Sequence, residues 1–241
     1  MTTIIAAVAA TADLINSLSL DDYATQAFSL DPNSPTGFGA GGIYAGPLSK
    51  APQAKPWHAQ YACPGNARVH ARARLVTIGP GKVFARFADS RTRGDWRRAA
   101  GGIWWVSDSM ADFIVNKTVE RGGRTGNAAP FARQYAQVDT SWSDMGVVVV
   151  CRTIRPIKVL VGVGRPVAGV PAVTTSMSDE LQVIILTTIA SPKEPSRRTF
   201  VGDQLMQKLW FGSSGDFTDW WLRAAIVNRR RVAQRVALKG E

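Results

Sequence analysis

Two cysteines and two histidines in 241 residues leave little for metal chemistry. Cys63 and Cys151 stand far apart, neither has a metal-type neighbour, and His58 and His70 add no ligand spacing, so a zinc site is not expected. The two cysteines read as free thiols, Cys151 buried at the end of an apolar run. No apolar run approaches the ~18 residues of a membrane span, so no membrane partner is expected. No basic residue precedes the apolar N-terminal stretch IIAAVAATADLI, which reads as an ordinary helix and not as a secretory signal; a cytoplasmic location follows as the expectation. The glycine cluster Gly37, Gly39, Gly41 and Gly42 lacks the Lys-Ser/Thr pair of a phosphate loop and has no evident strand before it or helix after it. Acidic residues are scarce as well, 18 against 29 lysines and arginines.

That imbalance gives a formal net charge of +11, which favours anionic partners: nucleic acid, an anionic surface or a small anionic ligand. A hydrophobic content of 45% in a chain of this length is enough for a substantial core. Composition shifts divide the chain into a helical segment over 1–30, a Pro/Gly-rich linker over 31–56, a core over 57–192 and a basic helical segment over 193–241.

The stretch Lys82 to Ser107, KVFARFADSRTRGDWRRAAGGIWWVS, organises the rest. Its start alternates with period two and predicts a strand, Val83, Ala85 and Phe87 on one face and Phe84 and Arg86 on the other. A basic loop over 89–102 follows, then an apolar run, Ile103-Trp104-Trp105-Val106, closing on Ser107. The arrangement describes a cleft with a cation on one wall and a flat aromatic on the other; the ordinary alternative is a salt-bridged arginine and a core tryptophan pair.

Elsewhere, Arg68 to Ile78 predicts a half-buried strand with a basic outer face, and Ser107 to Val119 a helix capped by Ser107 or Ser109. Ser19 is a candidate cap for a short helix with Asp21 and Asp22 in its first turn. A helix or ordered loop is expected over 128–138, and strands over 146–153, 157–164 and 181–189. Phe200 to Trp210 and Asp216 to Leu238 read as helices, Thr218 being a candidate cap of the second.

A strand carrying Arg86-Phe87, an aromatic pair closing on Ser107, a helix-rich middle and a late strand opening on Glu180-Leu181-Gln182 together resemble the ADP-ribosyltransferase superfamily, particularly its bacterial toxin-type members. The resemblance covers about residues 81–189 and implies an α+β fold with a split-sheet core flanked by N- and C-terminal helices. It implies NAD as substrate and no metal, transfer of ADP-ribose to a macromolecular target, RNA or DNA among the candidates, and, for a delivered effector, an immunity or antitoxin partner. Arg86 would hold the NAD phosphates or ribose, Trp105 the nicotinamide, and Ser107 would support the catalytic carboxylate. The family pattern is Glu or Gln, one residue, then Glu; here the order is reversed, so either Glu180 acts from the earlier position or Gln182 occupies the catalytic place, with NAD hydrolysis as an outcome of the second case. Arg86→Ala is expected to weaken NAD binding while the folded state survives.

The alternative reading is a nucleic-acid-binding or structural assembly protein without catalysis. Its footprint would be Arg93, Arg97 and Arg98 in the loop and Arg229, Arg230 and Arg231 near the C-terminus. Cations late in a helix also suit its dipole, so this run has an ordinary explanation too.

Overall fold

The computed structural model describes residues 13–19, 22–23, 26, 74–136, 138, 140, 143–163, 181–190 and 198–224. Nine strands and four helices with defined bounds are found there. In chain order they are β1 (Arg74–Ile78), β2 (Val83–Ala88), α1 (Trp96–Ala100), β3 (Trp104–Ser107), α2 (Asp108–Gly122), α3 (Ala129–Ala136), β4 (Val147–Thr153), β5 (Ile157–Val163), β6 (Leu181–Ile184), β7 (Thr188–Ala190), β8 (Arg198–Phe200), α4 (Gly202–Leu205) and β9 (Met206–Ser213). Helical residues also occur at 13–17 and 214–224. The protein is thus α+β.

Seven strands form one antiparallel ladder in the order β1-β5-β6-β3-β2-β4-β9, and β7 and β8 pair separately. The ladder narrows in its middle: two residue pairs join β2 to β3, Phe84 with Ser107 and Ala85 with Val106, whereas six join β2 to β4. The ladder is nonetheless continuous across this point.

Alternation along the strands builds a core on each face. One face buries Phe84, Trp105, Val149, Cys151, Val161 and Val183 with Ala99, Ala100, Ile15 and Tyr23. The other buries Ala85, Val106, Val148 and Val150 under Met110, Ile114 and Val115 of α2, Ala132 of α3 and Phe217. β4 is covered on both faces, which explains its near-continuous apolar sequence.

The N-terminal residues pack into this core. Tyr23 is fully buried; its hydroxyl donates toward the carbonyls of Lys158 and Ile184 and accepts from the Leu186 amide. Asn16 donates to the Pro156 carbonyl and accepts from the Lys158 amide. The hydroxyl of Ser19 accepts from the Asp22 amide, the cap expected there.

Three expectations need correction. The run 200–210 is not a helix: after the four-residue α4 the chain becomes β9, an edge strand of the main sheet, so the core extends past residue 192. The expected strand over 181–189 breaks at 185–187 into β6 and β7. Thr218 does not cap the last helical residues. The Ser213 hydroxyl accepts from the Asp216 amide and donates to the Asp216 carboxylate, while Thr218 is buried and donates to the Gly126 carbonyl. The expected linker over 31–56 and most of the strand over 68–78 lie outside the described residues.

Candidate functional site

Four of the residues singled out by sequence lie on neighbouring strands. Arg86 is on β2, Trp105 and Ser107 on β3 and Gln182 on β6, and the ladder places β6, β3 and β2 side by side. Trp105 pairs with Val183, which also pairs with Val161; Gln182 pairs with Gly162, one residue out of step with Trp105. Glu180 lies outside the described residues, as do Arg229, Arg230 and Arg231.

Arg86 is half-buried, and its guanidinium is held by main chain. Its Nε donates to the Ala99 carbonyl at 2.7 Å and one Nη to the Trp104 carbonyl at 2.8 Å. Ala99 lies in the last turn of α1, where helix carbonyls lack intrahelical donors, so a cation there satisfies both the hydrogen bond and the dipole. Trp104 lies two residues beyond the last β2–β3 pair, Ala85 with Val106. The guanidinium also lies over Gly102, where a side chain's Cβ would collide with it. Arg86 therefore fastens the α1–β3 connection.

Trp105 is a core residue, 2% exposed, and its indole N–H has no hydrogen-bond partner within the described residues. The ring does not present the open platform expected for nicotinamide. Ser107 is the N-cap of α2: its hydroxyl accepts from the Met110 amide at 3.3 Å and is within 2.9 Å of the Ser109 hydroxyl. Of the two caps weighed from sequence, Ser107 is the one used.

The loop after β2 is pinned by carboxylates. Asp89 accepts from the Arg91 amide and guanidinium, and the Arg91 side chain holds its carboxyl below the usual range. Asp144 is also held below the usual range: burial opposes ionisation, but the Ser90 hydroxyl and the Ser90 and Gly146 amides outweigh it. Asp95 caps α1, accepting from the Arg97 and Arg98 amides.

Of the basic residues proposed for nucleic acid, Arg93, Arg97 and Arg98 are all exposed. Arg97 binds Asp203 of α4 at 2.7 Å and lies over the Trp96 ring, 5.2 Å from its centroid. Lys208 of β9, which sequence reading did not single out, lies over the same ring at 5.3 Å, and Phe200 meets it edge-on at 5.8 Å. Lys208 was hidden because its strand was read as a helix.

Among the described residues no group of His, Cys, Asp and Glu is placed to hold a metal ion, and no helix is long and apolar enough to cross a membrane. No family model, curated protein or solved structure matches the chain.

Proposed function

We propose that this protein is an NAD-dependent ADP-ribosyltransferase, toxin- or effector-like, that modifies a macromolecular target. The observation that carries the reading is the adjacency of β6, β3 and β2: Gln182, Trp105 with Ser107, and Arg86, spread over about a hundred residues of sequence, fall on three consecutive strands. Arg86 is a cation held in place beside these strands by two carbonyls, and a fixed positive charge is the kind of group that a pyrophosphate requires. In the reaction the bond between the ribose C1′ and the nicotinamide nitrogen breaks, and nicotinamide leaves with the bonding pair. The positive charge that builds on the ribose is stabilised by a carboxylate, for which Glu180 is the candidate. A target nucleophile then bonds to C1′ and gives up its proton; water in its place yields free ADP-ribose.

The test is release of nicotinamide from NAD by the full chain, with mass analysis of total RNA, DNA and protein added as acceptors. Glu180→Gln should abolish release while NAD still binds, because the carboxylate acts chiefly in the transition state. If Gln182 holds the catalytic place, Gln182→Glu raises the rate instead. Full activity in both Glu180→Ala and Gln182→Ala would locate the chemistry elsewhere.

A second reading, a nucleic-acid-binding protein without transfer chemistry, is favoured by one observation: Trp105 and Ser107 both serve the fold, one as core and one as a helix cap. Absence of nicotinamide release from folded protein, with nucleic-acid binding retained, selects it.

A further inference from the structure

Two exposed cations converge on one half-buried aromatic ring. Trp96 opens α1, Phe200 closes β8, Asp203 belongs to α4 and Lys208 to β9, so stretches about a hundred residues apart build this corner together. Arg97 and Lys208 both have their charged ends over the indole, and Arg93 and Arg98 stand exposed on the same segment as Trp96. Two cations thus lie over the ring, and two carboxylates, Asp95 and Asp203, belong to the same corner. Asp95 is engaged with two amides at the start of α1, and Asp203 is engaged with Arg97.

We infer that this corner is a binding surface for single-stranded RNA, with a base stacked on Trp96 and the neighbouring phosphates on Arg97 and Lys208. Three features point to this partner. An indole flanked by cations matches a base flanked by phosphates, the pairing by which proteins hold single strands without reading sequence. A duplex keeps its base faces stacked inside and has none to offer the ring. The Arg97–Asp203 pair is exposed on both sides, 59% and 46%, and such pairs contribute little, so a phosphate displaces the carboxylate at little cost. Lys208 and Arg97 have flexible stems that swing from the ring to a backbone, leaving the indole for the base. The inference rests on the transferase reading in one respect: it makes RNA the macromolecular target and brings ribose hydroxyls to the protein as nucleophiles.

The experiment uses the full chain and a short fluorescent single-stranded RNA of mixed sequence, titrated by anisotropy between about 50 and 200 mM salt. Affinity should fall steeply with salt. Trp96→Ala should weaken binding by about 5- to 100-fold, and Trp96→Phe should retain most of it. Lys208→Ala and Arg97→Ala should each lower the log–log salt slope by about 0.7. Both sites are exposed, so these variants test the surface even if Trp96→Ala fails to fold. Unchanged affinity in Lys208→Ala and Arg97→Ala, or equal affinity for duplex RNA or poly-glutamate, overturns the inference. Nicotinamide release is measured separately on the wild type. RNA binding without release sinks the transferase and spares the surface; release without RNA binding does the reverse.

Discussion

Arg86 shows how much one side chain decides. Its two bonds tie the end of α1 and the start of β3 to the middle of β2, and Gly102 leaves room for the guanidinium that makes them. Gly102→Ala should therefore destabilise the fold by about 1–3 kcal/mol, the usual cost of forcing a methyl group into a packed site, with loss of the carbonyl bonds at the upper end. Urea unfolding of the variant checks this; a midpoint equal to that of the wild type would show the guanidinium free to move aside. The sequence marked Arg86 as unusual because alternation put a cation among apolar residues on a strand. Its partners were not readable, since they are main-chain carbonyls of Ala99 and Trp104, which no side-chain pattern reveals. Trp105 and Ser107 were placed on the correct strand, but burial in one case and capping in the other are decided by what packs above them.

Among the elements, β4 was the most legible and β9 the least. Val147 to Cys151 is apolar at every position because both faces are covered, and no helical spacing competes with that run. β9 carries a bulge: Lys208 pairs with Cys151 and Trp210 with Val150, leaving Leu209 as an extra residue. Leu209 and Trp210 then lie on the same face, the period-two signal is lost, and the spacing of Val201, Leu205 and Leu209 imitates a helix. The inward face of β4 also sets a chemical property. Burial, reinforced by Asp203, pushes the Cys151 thiol up to about 12 from an ordinary value of 9.0. Burial likewise pushes the Tyr23 hydroxyl well above its ordinary range, although the Leu186 amide opposes the shift. Both groups hold their protons more tightly when folded, so the stability they contribute is complete below the unfolded value and is lost as pH rises from about 9 through the folded values. Asp89 and Asp144 act oppositely: their stabilisation is present above the ordinary carboxylate range and lost as pH falls through their lowered values. A pH series of urea midpoints should show a plateau with losses at both ends. Iodoacetamide should modify Cys151 only after unfolding, as mapped by mass spectrometry; modification of the native protein at neutral pH would contradict this burial.

For the molecule as a whole, the two cores depend on contacts between distant parts of the chain. Residues 13–23 contribute Ile15 and Tyr23 to the same cluster as Trp105, Val149 and Val183. Tyr23→Phe removes the hydroxyl that serves two carbonyls and one amide. It should cost about 1–3 kcal/mol, and should diminish the alkaline loss, because the titrating group is gone. Calorimetry at neutral and alkaline pH checks both parts; equal loss of stability with pH in the variant would assign the effect elsewhere. The sequence made the N-terminal segment apolar and helical but gave no sign of where it docks, because its anchor is a set of backbone groups near residues 158 and 184–186.

That anchorage fixes a schedule for the nascent chain. Tyr23 bonds to groups 135, 161 and 163 residues later, so this segment leaves the ribosome long before its site exists. β1 waits in the same way for β5, while β2 finds β3 within about twenty residues. The apolar side chains of Ile15 and Tyr23 are therefore made well before the strands that cover them, and stay exposed to a chaperone in the interval. A chain halted before β6 can complete neither core, since one still lacks Val183 to Leu186 and the other Phe217 and Trp221.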